Sequence, residues 1–436
     1  MNKEDAMEVG EKIYVADKET LDKVYNLLVT EPVWGFVEHM DVLSPSERIT
    51  PIGMNKNYKN VVRNESTGSL ALNDWADHPV IKANKPYMVK ADGTPDYRLA
   101  EDDYTKKLDG TASDVSNASY NGGAFAWFPR IYKHERMEGN DRTVLFSMTA
   151  RDGYTPNGFI DPSNNVLEGV WLPMFYGSRL GADGSTPQMV SLAGVQPSYG
   201  TTAAQERTAL QNFSARAQFL GGPIVETIID FLIMMSGTTD LQSAYGYGNC
   251  SGYDASLSPT YGVKQNAVVG GGQFYGTDDT KSLNKIFHSI VLGSYQQWMR
   301  DPYEVVVNGR VKVSKNYTYD LTGAAYTDTG ITVPQRSDWD SNHNKLEYPT
   351  EYRTVSGYGA VPAGSMAGGS TATGGCDGLW RHDPTQTFTA VALRFGTCAD
   401  GLNAGPRARN WSGTATGAAW GISAANLLLP PVGVAA

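Results

Sequence analysis

A chain of 436 residues is too long for one ordinary hydrophobic core, so we expect two or three domains. Its formal net charge of −10 argues against binding to nucleic-acid phosphates or to anionic membranes, because both attract clustered lysine and arginine. The 47 glycines, the 24 tyrosines and a charged fraction of only 19% favour a loop-rich α+β fold with more strand than helix.

The N-terminal region, residues 1–120, is predicted to be mostly β. Residues 19–29 place apolar side chains at helical spacing after an acidic start, which predicts one short helix. The stretch that follows is polar and carries Asp-Gly turn signals at 92–93 and 109–110. We place a domain boundary near 118–122, where an Asn-Gly-rich segment precedes a strong strand pattern.

The chain beyond this boundary mixes strand and helix patterns. Aromatic and β-branched runs with partial alternation predict strands at 124–134, 142–150 and 170–180. Helical spacing predicts helices at 201–217 and 223–236. The second helix contains the longest apolar run, which is too short to span a bilayer and is interrupted by carboxylates. A loop region rich in Gly, Tyr and Asn follows at 245–280.

The C-terminal third is predicted to end in a sheet. An Asn-Gly pair between two alternating runs predicts a β-hairpin at 304–319. Residues 355–376 are rich in Gly, Ser and Ala, which is typical of a flexible loop or of tightly packed turns. We predict that three further runs are central strands of one sheet: 377–380, 388–396 and 419–429.

Neither a metal site nor a catalytic motif is predicted. None of the six histidines has a partner at ligand spacing, and residues 340–344 begin like a calcium loop but lack its glycine and its closing glutamate. The sequence has no phosphate-binding loop and no nucleophile elbow. Cys376 and Cys398 leave two interpretations open: a redox or copper pair, as in formylglycine-generating enzymes, or two small buried hydrophobic residues. We favour the second, and we expect no cofactor, no metal and no enzyme activity.

The stretch from 388 to 430 differs in composition from the rest of the chain. It contains no Lys, Glu, Gln, Met or His, although these residues occur freely elsewhere. It keeps two tryptophans, repeated glycines and three arginines. A buried, turn-rich sheet would exclude long charged side chains, but arginine is as long as lysine. Burial alone therefore does not account for the pattern.

The order of motifs in this stretch resembles the C-terminal variable region of phage and bacterial proteins that are diversified by diversity-generating retroelements. After Asp-Gly-Leu-Trp and a strand that ends in Arg-Phe-Gly, the matching positions are Gly401, Ala404, Gly405, Trp420, Gly421 and Pro430. Cys398 stands where the family usually has tryptophan, and alanine stands at 424 and 425 where an arginine is expected. Upstream, three segments resemble the body of gut-phage tail proteins that carry this domain: 85–99, 113–134 and 173–178.

The resemblance also implies a history of targeted mutation that fits the absence of Lys, Glu, Gln and Met from this stretch. In this family adenines are the mutated template bases, typically in AAY codons, and randomising their first two positions cannot yield Lys, Glu, Gln, Met or Trp. Side chains on such a site vary freely only if glycines and buried aromatic residues hold the backbone. The loops lack the Glu-Pro-Asn, Gln-Pro-Asp and Trp-Asn-Asp motifs of calcium-dependent lectins, so the resemblance implies recognition without a metal ion.

The fold and function implied are those of a phage receptor-binding protein. Residues 121–436 would form a C-type-lectin-like ligand-binding domain with a variable region at about 390–426, and residues 1–120 an attachment and oligomerisation region. The protein would be made in the host cytoplasm and act at the tail tip or fibre of the virion. It would bind a protein or glycan receptor on a bacterial surface, contact other tail proteins and form a homotrimer, without binding nucleic acid or inserting into a membrane. The alternative is a structural head or tail decoration protein that uses the same fold for virion assembly.

The resemblance places the ligand contacts in the variable region. The predicted contact residues are Ala399, Asp400, Leu402, Asn403, Arg407, Arg409, Asn410, Trp411, Thr414 and Thr416. Arg407 and Arg409 are the strongest candidates, because a guanidinium group offers several hydrogen bonds and a stacking face. We expect Trp411 to be partly exposed, and Trp380 and Trp420 to lie in the core.

Overall fold

The computed structural model describes residues 6–9, 12–15, 32–180, 187–333, 345–381 and 388–436. The helix predicted at 19–29 and the calcium-loop candidate at 340–344 lie outside these residues. About 31% of the structure is strand and 15% is helix, so the fold is of the mixed α+β class with a mostly β character.

The strands of the first half of the chain are short and mostly antiparallel. They are β1 (Ala6–Val9), β2 (Lys12–Val15), β3 (Val33–His39), β4 (Ile49–Gly53), β5 (Val62–Arg63), β6 (Leu70–Ala71), β7 (Pro86–Lys90), β8 (Pro95–Arg98), β9 (Gly122–Pro129), β10 (Tyr132–Glu138), β11 (Asp141–Ser147), β12 (Gly169–Pro173), β13 (Ser178–Leu180), β14 (Gln188–Val190) and β15 (Ala217–Phe219).

The second half contains the remaining strands and most of the helical residues. The strands are β16 (Trp298–Val307), β17 (Arg310–Val313), β18 (Thr327–Thr332), β19 (Lys345–Glu347), β20 (Tyr352–Val355), β21 (Gly359–Pro362), β22 (Leu379–Arg381), β23 (Ala390–Arg394), β24 (Arg409–Asn410), β25 (Ile422–Ser423) and β26 (Asn426–Leu428). The α-helices of the described chain, from both halves, are α1 (Pro79–Ala83), α2 (Ala203–Phe213), α3 (Pro223–Ser236), α4 (Leu241–Tyr245) and α5 (Ile290–Ser294). Short 3-10 helices lie at Met54–Asn57, Asn73–Asp77, Ala255–Leu257 and Gly401–Asn403.

Three larger sheets organise the fold. A four-stranded sheet has the order β10-β11-β3-β4, and a six-stranded sheet has the order β15-β26-β12-β9-β7-β8. An eight-stranded sheet has the order β18-β17-β16-β23-β24-β22-β19, and β25 joins it by pairing in parallel with β16. Two-stranded ribbons are formed by β1 with β2, β5 with β6, β13 with β14, and β20 with β21.

The sheets do not divide near 118–122, where the sequence predicts a domain boundary. Strand β3 pairs along its whole length with β11, and β7 pairs with β9, so strands from both sides of the predicted boundary share hydrogen bonds. One hydrophobic cluster runs from Trp34 to Leu429. The polar segment at 118–122 is a surface turn that leads into β9, and its composition says nothing about which strands pair.

Helix α3 is buried along its entire length. It begins with Pro223 at the first turn and ends at Gly237, whose left-handed φ of 65° closes the helix. All fourteen side chains are buried, including the carboxylates of Glu226 and Asp230. The predicted helix at 223–236 is therefore confirmed. The helix predicted at 201–217 is shorter, because α2 ends at Phe213 and residues from Ala217 onward form β15.

The turn of the hairpin predicted at 304–319 is confirmed. Asn308 and Gly309 adopt left-handed φ angles of 49° and 75° between β16 and β17, as a two-residue turn of this type requires. The prediction that 377–380, 388–396 and 419–429 share one sheet holds for β22, β23 and β25. It is wrong for β26, which pairs with β12 and β15 in the six-stranded sheet.

Candidate binding surface

Three arginines of the 388–430 stretch lie inside the protein and are held by carboxylates. Arg394 ends β23, and its guanidinium contacts Glu226 on α3 at 2.6 Å, Asp301 at 3.0 Å and Glu304 at 2.9 Å. The side chains of all four residues are almost completely buried. Burial opposes the charge of Arg394, but these carboxylates outweigh that effect and raise its pKa well above the usual range.

Arg409 and Trp411 extend the same buried cluster. Arg409 on β24 donates to Glu226 at 2.5 Å and to the carbonyl of Ala360 at 2.7 Å. The indole nitrogen of Trp411 donates to Glu304 at 2.6 Å. Each of these carboxylates is therefore contacted by a cation or an indole donor from the C-terminal segment. The residue types at 409 and 411 are thus required by buried partners within the chain.

Arg407 joins the C-terminal segment to the N-terminal strand β3. Its two terminal nitrogens each lie 2.9 Å from an oxygen of Glu38, a two-pronged contact across 369 positions of sequence. The guanidinium also lies 4.1 Å from the ring centre of Tyr352. Burial works against the charge of Glu38, but Arg407, Arg48 and Arg142 outweigh it and lower the pKa of Glu38 far below its usual range.

A second set of buried ion pairs continues from Glu38 to helix α3. Arg142 contacts Glu38 at 3.3 Å and Asp230 at 2.6 Å, and Lys133 contacts Asp230 at 2.8 Å. Because Glu226 and Asp230 lie one turn apart, α3 connects this set to the cluster around Arg394. We call the combined set the ion-pair frame, and its members are Arg48, Lys133, Arg142, Arg394, Arg407, Arg409, Glu38, Glu135, Glu226, Asp230, Asp301 and Glu304.

Gly405 shows how tightly the backbone is held beside the frame. Its φ is 152°, and an added Cβ would overlap the carboxylate of Asp377. That carboxylate accepts a hydrogen bond of 2.5 Å from the backbone nitrogen of Arg407. Burial raises the pKa of Asp377 well above the usual range, although the bond from Arg407 acts in the other direction. Glycine is therefore required here by both conformation and space.

The structure separates the predicted contact residues into three groups. Ala399, Leu402 and Thr416 are exposed, with 47% of Leu402 accessible. Asp400, Asn403, Asn410 and Thr414 are half-buried. Arg407, Arg409 and Trp411 are buried, with 3%, 1% and 0% of their surface accessible.

The expectation that Arg407, Arg409 and Trp411 reach the surface is wrong. These side chains lie in the interior because they are hydrogen-bonded to the buried carboxylates of Glu38, Glu226 and Glu304. Two other tryptophans are also placed differently from the prediction. Trp380 and Trp420 are half-buried rather than fully enclosed in the core.

The exposed loop 399–403 is held mainly through its backbone and its polar ends. The nitrogen of Gly401 donates to the carbonyl of Cys250 at 2.7 Å. The Tyr348 hydroxyl donates to the side chain of Asn403 at 2.6 Å. Asp400 accepts from Thr397, while burial raises the pKa of this carboxyl. No such contact depends on the side chains of Ala399 or Leu402.

The second exposed loop, 412–419, is held through its carbonyl groups. Arg300 donates to the carbonyls of Gly417 at 2.8 Å and Thr414 at 3.3 Å. The Nε atom of Arg300 donates to Glu206 at 2.6 Å, and this bond holds the guanidinium in place. The nitrogen of Ala203 donates to the carbonyl of Ala415 at 2.9 Å. Backbone contacts of this kind hold the loop whatever its outward side chains are.

An aromatic cluster that the sequence analysis missed lies beside loop 399–403. It consists of Tyr253, Tyr261 and Trp420. The two tyrosine rings are parallel within 1° with centres 5.9 Å apart, and the Trp420 ring lies 5.2 Å from Tyr261 and 6.0 Å from Tyr253. The tyrosine-rich composition of 245–280 was the available signal, but composition does not show that Tyr253 and Tyr261 meet Trp420, which follows them by 167 and 159 positions.

The three cysteines show no sign of an activated thiol. Cys250, Cys376 and Cys398 are buried and unpaired. Burial raises the pKa of Cys376 and Cys398 to about 12 and that of Cys250 to about 11, so each thiol is protonated at neutral pH. In the part of the chain that the structure describes, no group of His, Cys, Asp or Glu side chains has the arrangement to hold a metal ion.

Within the same described ranges, no helix has the length and apolar character needed to cross a membrane. Comparison with known proteins adds no identification: no family model matches the chain, and the search of curated proteins finds no match.

Proposed function

We propose that the chain is a receptor-binding protein of a phage tail tip or fibre, which adheres to a bacterial host through the exposed loops 399–403 and 412–419. The observation that carries the proposal is that one segment contains two sets of residues that are held by different kinds of contact. Buried arginines anchor it to the ion-pair frame, while the loops 399–403 and 412–419 beside them are held mainly by backbone contacts that leave outward side chains free to vary.

This arrangement suits a surface whose residues change while the fold persists. Replacing the exposed Leu402 breaks no described contact within the chain, and replacing the exposed Thr416 breaks only a 3.1 Å hydroxyl contact with Thr414 at the surface. The anchoring residues, by contrast, each satisfy a buried partner, so a change there would expose an uncompensated charge. Receptor recognition by variable loops on a rigid scaffold makes the same demand.

The finer architecture and assembly belong to the same proposal. A C-type-lectin-like arrangement would comprise the C-terminal part of the chain, with the β16-β23-β24-β22 strands as its sheet. Loop 399–403 follows the end of β23, and loop 412–419 begins beside Ala390 at the start of the same strand. The N-terminal residues would attach the protein to the tail, and a homotrimer would present several weak sites together. Multivalent presentation raises avidity without new contacts.

The proposal is tested by adhesion of the full-length protein to bacteria. Fluorescently labelled protein is incubated with a panel of bacterial strains, and bound protein is measured by flow cytometry. Leu402→Asp places a charge in the proposed contact surface and is expected to abolish adhesion to any strain that binds the parent protein. The matched control is Leu108→Asp, since Leu108 is 61% exposed in the turn at 107–110. Equal adhesion of the two variants would overturn the proposal.

The decoration-protein alternative makes a different prediction about access. In purified particles that contain the chain, a Leu402→Cys variant would react with a bulky maleimide reagent if the loop faces outward. Protection of this cysteine in particles, but not in the free protein, would favour a role in assembly instead. The native cysteines are buried and provide a low background.

A further inference from the structure

We propose that the aromatic cluster, with loop 399–403 at its edge, is a binding site for the ring of a neutral saccharide. The inference rests on the proposed function, for which it names the class of ligand.

The aromatic cluster leaves much of its apolar ring surface in contact with solvent. Tyr253 leaves 52% of its surface in solvent, and Tyr261 and Trp420 are half-buried. Leu257 of the same loop is also 51% exposed. Exposed apolar surface of this kind marks a place where a ligand or partner is bound.

The position of the cluster is built into the backbone. Tyr261 has a φ of 45°, a left-handed conformation that a bulky side chain rarely adopts. Two contacts hold it there: its carbonyl accepts from the nitrogen of Asp254 at 3.2 Å and lies 3.5 Å from the sulfur of Cys398. The same neighbourhood includes the bond from Gly401 to Cys250, so the rings and loop 399–403 are fixed relative to each other.

The polar ends of the three rings are available to a ligand. Among the described residues, neither the hydroxyls of Tyr253 and Tyr261 nor the indole nitrogen of Trp420 has a hydrogen-bond partner in the chain. Each ring therefore offers an apolar face together with a free hydrogen-bonding group. A pyranose ring is complementary to this arrangement, because it has C–H faces and a rim of hydroxyl groups.

Charge and size favour a neutral saccharide over other ligands. The cluster contains no charged side chain, and Asp254 of the same loop is near enough to Lys281 for that lysine to help lower its pKa, so these two charges offset each other. With a net charge of −10 on the whole chain, an anionic polysaccharide has no local attraction to set against the overall repulsion. The three ring centres lie 5.2 to 6.0 Å from one another, so the rings form one small aromatic surface on which a single sugar ring can stack. A stable protein partner would instead need about 800 Å² of surface on each side.

Saturation-transfer NMR on the full-length protein tests the inference directly. The probes are the methyl glycosides of glucose, galactose, mannose and N-acetylglucosamine, with N-acetylneuraminic acid as the anionic comparison. We expect transfer to the ring C–H protons of at least one neutral glycoside. Tyr253→Ala should weaken its binding about ten-fold, because a stacking surface is lost while the exposed position tolerates alanine.

Two further variants keep the result interpretable. Trp420→Phe retains an aromatic face without the indole nitrogen and should weaken binding less than Tyr253→Ala. Tyr132→Ala removes a half-buried tyrosine on β10 and should leave glycoside binding unchanged. The inference is overturned if no neutral glycoside receives transfer at millimolar concentration, if Tyr253→Ala binds as well as the parent, or if N-acetylneuraminic acid binds equally well.

The failure of this inference can be told apart from failure of the proposed function. Adhesion to cells that depends on Leu402 but survives periodate oxidation of cell-surface sugars would retain the receptor-binding role and reject the saccharide. Glycoside binding that depends on Tyr253, together with no adhesion to any strain of the panel, would retain the saccharide site and reject the receptor-binding role.

Discussion

The anchoring residues and the exposed loops of the 394–419 segment use opposite kinds of contact. Arg394, Arg407 and Arg409 are held by their side chains, which meet buried carboxylates on β3, α3 and β16. The loops 399–403 and 412–419 are held mainly by their backbones. The two sets alternate along the chain and share the same unusual composition, so composition does not reveal which residues the fold requires.

The comparison also shows what supports the loops. The ion-pair frame draws on strands and helices from residue 38 to residue 409, so the C-terminal segment is anchored in the same interior as the N-terminal strands. Removing one member of such a frame leaves a buried charge without its partner, which costs far more than losing a pair at the surface.

The largest effect is expected at Arg394. Arg394→Met leaves Glu226, Asp301 and Glu304 facing one another without their shared cation, and should lower the free energy of unfolding by about 3–5 kcal/mol or prevent folding. Urea unfolding measures the change. Arg310→Met is the matched control, because the Arg310–Asp328 pair is 42% and 48% exposed, and should cost about 0–1 kcal/mol. Similar costs for both variants would contradict the comparison.

A smaller but substantial effect is expected at Gly405. Gly405→Ala must keep a φ of 152° and displace the carboxylate of Asp377, and should destabilise the protein by about 3 kcal/mol. Gly110→Ala tests the cost of the backbone conformation alone, since Gly110 has a φ of 82° with open space around it. It should lower the free energy of unfolding by about 1 kcal/mol. Thermal unfolding of both variants gives the difference, and equal shifts would show that Asp377 does not constrain this position.

Acid should weaken the frame through Glu38. Its pKa is lowered in the folded protein, so its stabilising contribution is present above the unfolded value of 4.5 and is lost as the pH falls below it. The difference in unfolding free energy between the parent and Glu38→Gln should therefore narrow by on the order of 2 kcal/mol between pH 7 and pH 3. Urea titrations at a series of pH values measure it. A difference that stays constant with pH would show that Glu38 is not ionised in the frame.

The smallest effects on stability are expected in the exposed loops. Leu402→Asp breaks no described contact, and Thr416→Arg breaks only the exposed hydroxyl contact with Thr414. Each should change the free energy of unfolding by no more than about 0.5 kcal/mol. Urea unfolding at pH 7 is the measurement. Destabilisation of more than about 2 kcal/mol by either variant would mean that these side chains belong to the frame.

Local features of the fold could be predicted from the sequence. The Asn308-Gly309 turn follows from the conformational freedom of those two residues, and α3 follows from a long apolar run that begins with proline and ends at glycine. Both depend on neighbours within a few positions. The class of the fold could be predicted for the same reason, since glycine, tyrosine and β-branched runs act locally.

Pairing between distant segments could not be predicted. The partner of Arg407 is Glu38, and no local pattern near either residue indicates the other. The polar turn at 118–122 resembles a domain linker in composition, yet β7 and β9 pair across it. Trp411 and Trp420 exchanged their expected places, because the burial of a tryptophan depends on the segment that packs over it.

The most direct test of the central claim is to randomise six positions of the segment in parallel and score folding for every residue type. The loop positions are 399, 402 and 416. The buried positions are 407 and 409 of the ion-pair frame and 411, whose indole donates to Glu304. Protease resistance of displayed protein reports folding. We predict that most residue types are tolerated at the loop positions and almost none at the buried positions. Equal tolerance at the two sets of positions would contradict the account.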